Sequence, residues 1–160
     1  MAKIPILNSD ISEIFQGLSS MNTIYLLTNN EAKTIWIKNI DKSANSYFKL
    51  EDDSWLVRNE KYNIGDWLDS YNTGKYELVS KILNSVLGWR DEDRIYFCLS
   101  EVLSIESSWR EFKLNWDKFI EIDDDCPIII NQSSNCEVII FKPLGEISLL
   151  RKDSTENSSL

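Results

Sequence analysis

The chain has 160 residues, with 26 acidic against 17 basic side chains, a formal net charge of −9 and no histidine. Its length points to one domain, able to bury roughly 70% of the surface that the unfolded chain exposes. The missing histidine excludes Ser-His-Asp and Cys-His catalysis and every imidazole-ligated metal, and the scattered basic residues argue against nucleic acid, which needs a clustered basic footprint.

Hydrophobic residues make up 42% of the chain, with five Gly and three Pro, the balance of a folded globular protein. The opening stretch MAKIPILNSDISEIF lacks the apolar run and small-residue cleavage site of a secretory signal. The longest apolar runs, such as PIII and VIIF, are strand-sized and far below the roughly 20 residues that cross a bilayer. A cytoplasmic protein without membrane contact is the expectation. Residues 1–150 read as a single globular domain and 151–160, RKDSTENSSL, as a flexible polar tail. Cys98, Cys126 and Cys136 are odd in number and lack C-x-x-C spacing, so they read as reduced thiols. The glycines at 17, 65, 74, 88 and 145 form no phosphate-cradling motif. No cofactor and no metal are therefore expected.

In chain order, residues 10–17 read as a short helix capped by Ser9 or Asp10 with Gly17 as its stop, and 22–28 as a strand. Ala32, Ile35, Trp36 and Ile40 share a helical face over 30–41, although the Ile35-Ile37 alternation also permits a strand. SYFKLEDDSWLVR reads as two short strands, 46–50 and 54–58, around an acidic turn. Two helices are predicted next. The first, 64–71, carries Ile64, Trp67, Leu68 and Tyr71; the second, 74–87, has Thr73 as N-cap, a stripe including Tyr76, Leu78, Val79, Ile82, Leu83, Val86 and Leu87, and Gly88 as its stop. RIYFCL, 94–99, is a buried strand, and EVLSIE continues the sheet after a bulge.

Ser108 and Glu111 form a capping box, so a helix begins near Trp109. Trp109, Phe112, Trp116 and Phe119 advance by three, four and three residues, which confines four aromatics to one stripe. Such a stripe can pack a core or stack ligands, and the Arg and Lys residues beside it are offset by Glu111 and Asp117, which favours packing. The Asp123-Asp124-Asp125 triplet then turns the chain into a hairpin of 127–131 and 136–141 around QSSN, with PLGEISLL as a third antiparallel strand. The fold class is α+β: a mixed or antiparallel sheet with a C-terminal hairpin or meander packed against several helices.

Carboxylates are the remaining catalytic equipment, in three runs: Glu51-Asp52-Asp53, Asp91-Glu92-Asp93 and Asp123-Asp124-Asp125. None has EF-hand spacing, and consecutive side chains point in different directions, so solvated turns are the default and an acidic protein-binding rim the functional reading. Metal or acid–base chemistry is the third possibility. Candidate protein-binding residues are Glu51, Asp52, Asp53, Asp91, Glu92 and Asp93, with Trp55 and Trp89 beside them as aromatic anchors.

The order of the aromatic helix, DDDCPIII from Asp123 to Ile130, the hairpin and GEIS of Gly145 to Ser148 is similar to small bacterial proteins of uncharacterised families. Weaker echoes lie in EAKTIW and GWRDEDRIYF. Some of those proteins resemble immunity proteins encoded beside polymorphic or contact-dependent inhibition toxins. The resemblance implies a cytoplasmic, non-enzymatic protein that binds a cognate toxin domain, basic and nuclease-like, and blocks its active site. The alternatives are a small carboxylate- or metal-dependent enzyme and a non-catalytic regulatory subunit. The oligomeric state stays open.

Overall fold

The runs rich in Ile, Val and aromatic residues pair with one another across the chain. The computed structural model describes residues 3–16, 23–86, 88–134 and 137–152. Eight strands join one sheet: β1 (Lys3–Pro5), β2 (Tyr25–Leu27), β3 (Lys61–Asp66), β4 (Arg94–Ser100), β5 (Leu103–Ser108), β6 (Ile128–Asn131), β7 (Glu137–Phe141) and β8 (Glu146–Arg151). Their order is β1-β2-β5-β4-β6-β7-β8-β3, and neighbours run antiparallel. The helices are α1 (Asn29–Asn39), α2 (Trp55–Arg58), α3 (Leu68–Thr73), α4 (Glu77–Val86) and α5 (Trp109–Ile122). The fold is α+β.

Both faces of the sheet are covered, because successive side chains of a strand point to opposite sides. Ile95, Phe97, Ile105, Ile129, Ile139, Ile147 and Leu149 face a cluster built on α4 and α5. Cys98, Ile128, Ile130, Val138, Ile140 and Leu150 face the other way, onto Trp36, Ile40, Trp55 and Leu56 from α1, α2 and the chain between them. That explains why β6 and β7 read as continuous apolar runs rather than alternating ones.

The aromatic stripe of α5 lies in the first cluster, with Trp109, Phe112, Trp116 and Phe119 all fully buried. The Phe112 ring sits 5.1 Å from Phe119, 5.8 Å from Trp109 and 5.9 Å from both Phe97 and Phe141. Ser108 caps the helix by accepting the Glu111 amide at 3.1 Å, as the capping box predicts. The C-terminal hairpin and third strand, β6, β7 and β8, also form as read from the sequence. Residues 135 and 136, and with them Cys136, lie outside the described residues.

Other elements differ, each because a non-local partner outweighs local pattern. Residues 10–17 hold only a 3-10 turn, Ser12–Phe15; Ser9 donates its hydroxyl to the Ile6 carbonyl at 2.7 Å, and Gly17 lies outside the described residues. Residues 30–41 settle as helix α1. The two strands expected at 46–50 and 54–58 are instead a 3-10 turn, Tyr47–Lys49, and helix α2. There the sheet offers a face to cover rather than an edge to extend, and Trp55 and Leu56 cover it. Conversely, residues 64–66, read as the start of the helix 64–71, instead end β3, which pairs with β8 through a register shift at Asn63 and Gly65. A Cβ at 65 would stand 2.6 Å from Ile82 Cδ1, so any other residue there would push that side-chain tip aside. Thr73 ends α3 instead of capping the next helix, with Gly74 as left-handed C-cap at φ 72°. In α4 Val79 and Leu83 are buried, but Leu78, and Tyr76 just before the helix, are exposed. EVLSIE does carry the sheet on, as read: β5 pairs antiparallel with β4 past a register shift between Cys98 and Ser100.

Phe112 occupies the centre of this packing, so removing its ring leaves a cavity that α5 and the sheet cannot both close. Phe112→Ala is expected to cost about 3–5 kcal/mol. Urea unfolding followed by tryptophan fluorescence should show the lower midpoint with an unchanged slope.

Candidate functional site

Burial and pairing sort the acidic runs into free and committed groups. Glu51, Asp52 and Asp53 are exposed, on the turn that leads into α2. Trp55, expected as their aromatic anchor, is only 6% exposed; its indole donates to the Asn39 carbonyl at 3.3 Å and Lys152 stands over its ring. It belongs to the interior.

The 91–93 run is largely structural. Asp93 is 7% exposed and accepts from the Arg90 amide, the Arg90 Nε and the Asn131 Nδ2 at 2.9–3.2 Å. The Asn131 bond, with help from Arg90 against the cost of burial, holds its carboxyl below the usual range. Backbone carbonyls of Asp93 and Asp91 accept the amides of Trp109 and Arg110, so this turn satisfies the otherwise orphan N–H groups at the start of α5. Asp91 is exposed but bonded to the buried Lys113 at 2.7 Å, which keeps its carboxyl low. Glu92 is exposed, 3.6 Å from Arg90 Nε. Trp89, 8% exposed, packs edge-on against Trp109 at 4.8 Å. Of the candidate binding residues, Asp93, Trp55 and Trp89 are therefore buried, whereas Glu51, Asp52, Asp53, Asp91 and Glu92 are exposed.

A different acidic site appears where the end of α5 faces α3. A groove of about 500 Å³ is lined by Trp67, Leu68, Tyr71 and Asn72 on one side and by Ile120, Glu121, Ile122, Asp123 and Asp124 on the other. Its floor is anchored by Trp67, which donates its amide to Gly145 and its indole to Lys142, both carbonyls of the β7–β8 turn. That turn carries Leu144, 90% exposed. Gly145 is held at φ 109°, and a Cβ there would meet the Asp66 carboxylate at 2.7 Å.

The Tyr71 hydroxyl donates to Glu121 Oε1 at 3.1 Å. Burial and the neighbouring Glu121 raise the Tyr71 phenol above its ordinary range. One helical turn before Glu121, the Asp117 side chain is 10% exposed; burial raises its pKa although Lys118 lies 4.0 Å away. Lys118 also stands 3.8 Å from Glu121. Beyond the helix, Asp123, Asp124 and Asp125 each offer an oxygen within 4.8 Å of the others, a spacing open to a hard cation. Cys126 follows at φ 55°, turning the chain into β6.

A second cavity, of about 260 Å³, lies between Lys3, Tyr25, Arg94 and Glu106. There the buried Glu106 takes Lys3 Nζ at 2.8 Å and Arg94 Nε at 3.7 Å, while Glu92 also lines the wall. Two cations meet two carboxylates, so the cavity has no charge surplus and its ion pairs tie β1 to β4 and β5.

The groove residues are fifty positions apart in the chain at their Tyr71–Glu121 contact. The sequence signal that could have found them was the aromatic i, i+4 pair Trp67 and Tyr71 beside an acidic helix end. No helix among the described residues is long and apolar enough to cross a membrane. A family model described as "Protein of unknown function (DUF2947)" matches residues 13–149. The chain belongs to this family. Comparison of the chain with the curated proteins and with the solved structures found no match. The family span takes in the whole groove, from Trp67 to Asp124.

Because the folded-state pKa of Asp117 is raised, its neutral form is the favoured one, and the stability tied to that form is full below the ordinary carboxylate pKa and lost as pH rises through the raised value. Asp117→Asn is therefore expected to raise the melting temperature at pH 7. The gain should vanish below about pH 3.9, where wild-type Asp117 is neutral too; thermal unfolding across pH checks both the sign and the window.

Proposed function

We propose that the chain is a non-catalytic binding protein of the cytoplasm that neutralises a basic toxin domain, acting as an immunity protein. The observation that carries the binding reading is the groove of Tyr71, Glu121, Asp123 and Asp124: a recess with aromatic and aliphatic walls and three carboxylates, of which Glu121 has Lys118 at 3.8 Å. Interfaces concentrate their energy in aromatic anchors within desolvated pockets, and complementary charge speeds encounter. The net charge of −9 and the exposed run Glu51-Asp52-Asp53 extend the same sign over further surface. Leu144, 90% exposed on the β7–β8 turn, offers a further apolar contact. The toxin assignment draws on the resemblance of the α5-to-β8 segment to immunity-like proteins.

Co-expression with the variable C-terminal domain of a large secreted protein encoded beside this gene tests the reading. The expected outcome is co-purification at equal stoichiometry and survival of cells that express the toxin domain. A combined Glu121→Gln, Asp123→Asn, Asp124→Asn variant should weaken the complex by about tenfold or more, chiefly in an association rate that falls with salt. Neither binding nor protection by the wild type would sink the proposal.

The Asp123-Asp124-Asp125 spacing favours one second reading, a metal-dependent carboxylate enzyme. Calorimetry with Mg²⁺, Mn²⁺ and Ca²⁺ decides it: saturable heat abolished by Asp124→Asn supports this alternative, and absence of heat at millimolar ion removes it.

A further inference from the structure

We propose that Asn63 closes the outer edge of the sheet at β3, so that no further strand adds there and the chain acts as a monomer. This goes beyond the toxin reading and does not depend on it. An open sheet leaves a row of backbone N–H and C=O groups at each end that can pair with another strand. At one end β1 is a poor template: it has three residues, Pro5 lacks an N–H, and the Lys3 ammonium is tied to Glu106 at 2.8 Å. At the other end β3 runs for six residues, on the order of 20 Å, and Tyr62 is 46% exposed. A second copy would meet matching charge there. Two antiparallel β3 strands related by a twofold axis between Asn63 and Ile64 set Lys61 opposite Asp66 on both sides. Length and charge leave this edge open, so another feature has to close it.

The closing device is local. β3 pairs with β8 from Lys61 to Asn63 and again from Gly65 to Asp66, and the ladder passes over Ile64 between them. The extra residue makes a bulge, which increases the local twist and breaks the even spacing that an incoming strand has to match. Within the bulge the Asn63 side chain turns back along the strand, and its Oδ1 accepts the Gly65 amide at 3.0 Å. Gly65 has no side chain to keep another backbone at a distance, so its amide is the donor that an added strand could approach most closely. With that N–H committed to Asn63, pairing across the bulge leaves a carbonyl of the incoming strand without a donor, which is costly once water is excluded. Asn63 is exposed, so this hydrogen bond rather than core packing is what it contributes.

The test uses the full chain labelled with ¹⁵N, with sedimentation for mass and amide exchange for the hydrogen bond. Wild type is expected to remain a monomer up to about 1 mM, and its Gly65 amide to exchange slowly for an edge position. Asn63→Ala, which removes the acceptor, should speed Gly65 exchange about fivefold or more, whereas Asn63→Asp keeps an acceptor at the same place and should preserve the protection. Asn63→Val frees the same amide and adds a strand-favouring side chain. It should shift from monomer to dimer mass between about 10 μM and 1 mM, the weak range of a small interface, with line broadening centred on 61–66. Asn63→Ala should dimerise more weakly through the same residues, and Asn63→Asp should stay monomeric. Circular dichroism and melting temperature show that each variant is folded. Four results would each overturn the proposal: wild type that self-associates through 61–66, Gly65 exchange unchanged in Asn63→Ala, Asn63→Val that stays monomeric at 1 mM, or association that broadens residues other than 61–66. A protein partner that protects the outer amides of 61–66 from exchange, as an added strand would, also overturns it. The toxin reading stands or falls separately, since a monomer with a closed edge can still fail to protect cells.

Discussion

The Phe112 ring lies 5.1–5.9 Å from four other aromatic rings, two on its own helix turns away and two on the sheet. Once that contact is made, α5 has little freedom to slide or rotate, because rings of this size interlock and a shift of one would expose or overlap the rest. The remaining features follow from where the helix must then begin and end. Its start needs acceptors for free amides, and the 91–93 turn delivers them from below β4. Its end carries Glu121 and the Asp triplet out of the core and opposite α3, creating the groove.

Much of this was legible in the chain. The stripe on α5, its Ser108 cap and the β6–β7–β8 meander are local patterns, each encoded by spacing within one or two turns or strands. The errors share a cause. Residues 54–58 and 61–66 are both short and ambiguous, and their state is set by what the sheet lacks nearby: a cover over Leu150 and Val138 in one case, an edge partner for β8 in the other. β1 is three exposed residues whose pairing with β2 and ion pair to Glu106 no local signal announces.

The acidic runs show the same limit at the level of function. Adjacency in the chain made 51–53, 91–93 and 123–125 equivalent candidates. Folding distributes them among three roles: the first exposed on a turn, the second consumed in capping α5 and pairing with Lys113, Arg90 and Asn131, and the third placed at the lip of a recess. Tryptophans divide in a similar way. Trp55 and Trp89 bury their rings in the two cores, whereas Trp67, also buried, contributes to a wall that reaches the surface.

The sequence by itself determined the α+β class, the aromatic helix, the C-terminal meander, the surplus of negative charge and the lack of imidazole chemistry. These are sums and short-range periodicities, which survive any arrangement of the distant parts. Only the tertiary structure decided which acids are free to meet another molecule. Whether a carboxylate is paired, buried or open depends on groups brought beside it from elsewhere in the chain, as Tyr71 is brought to Glu121 and Asn131 to Asp93.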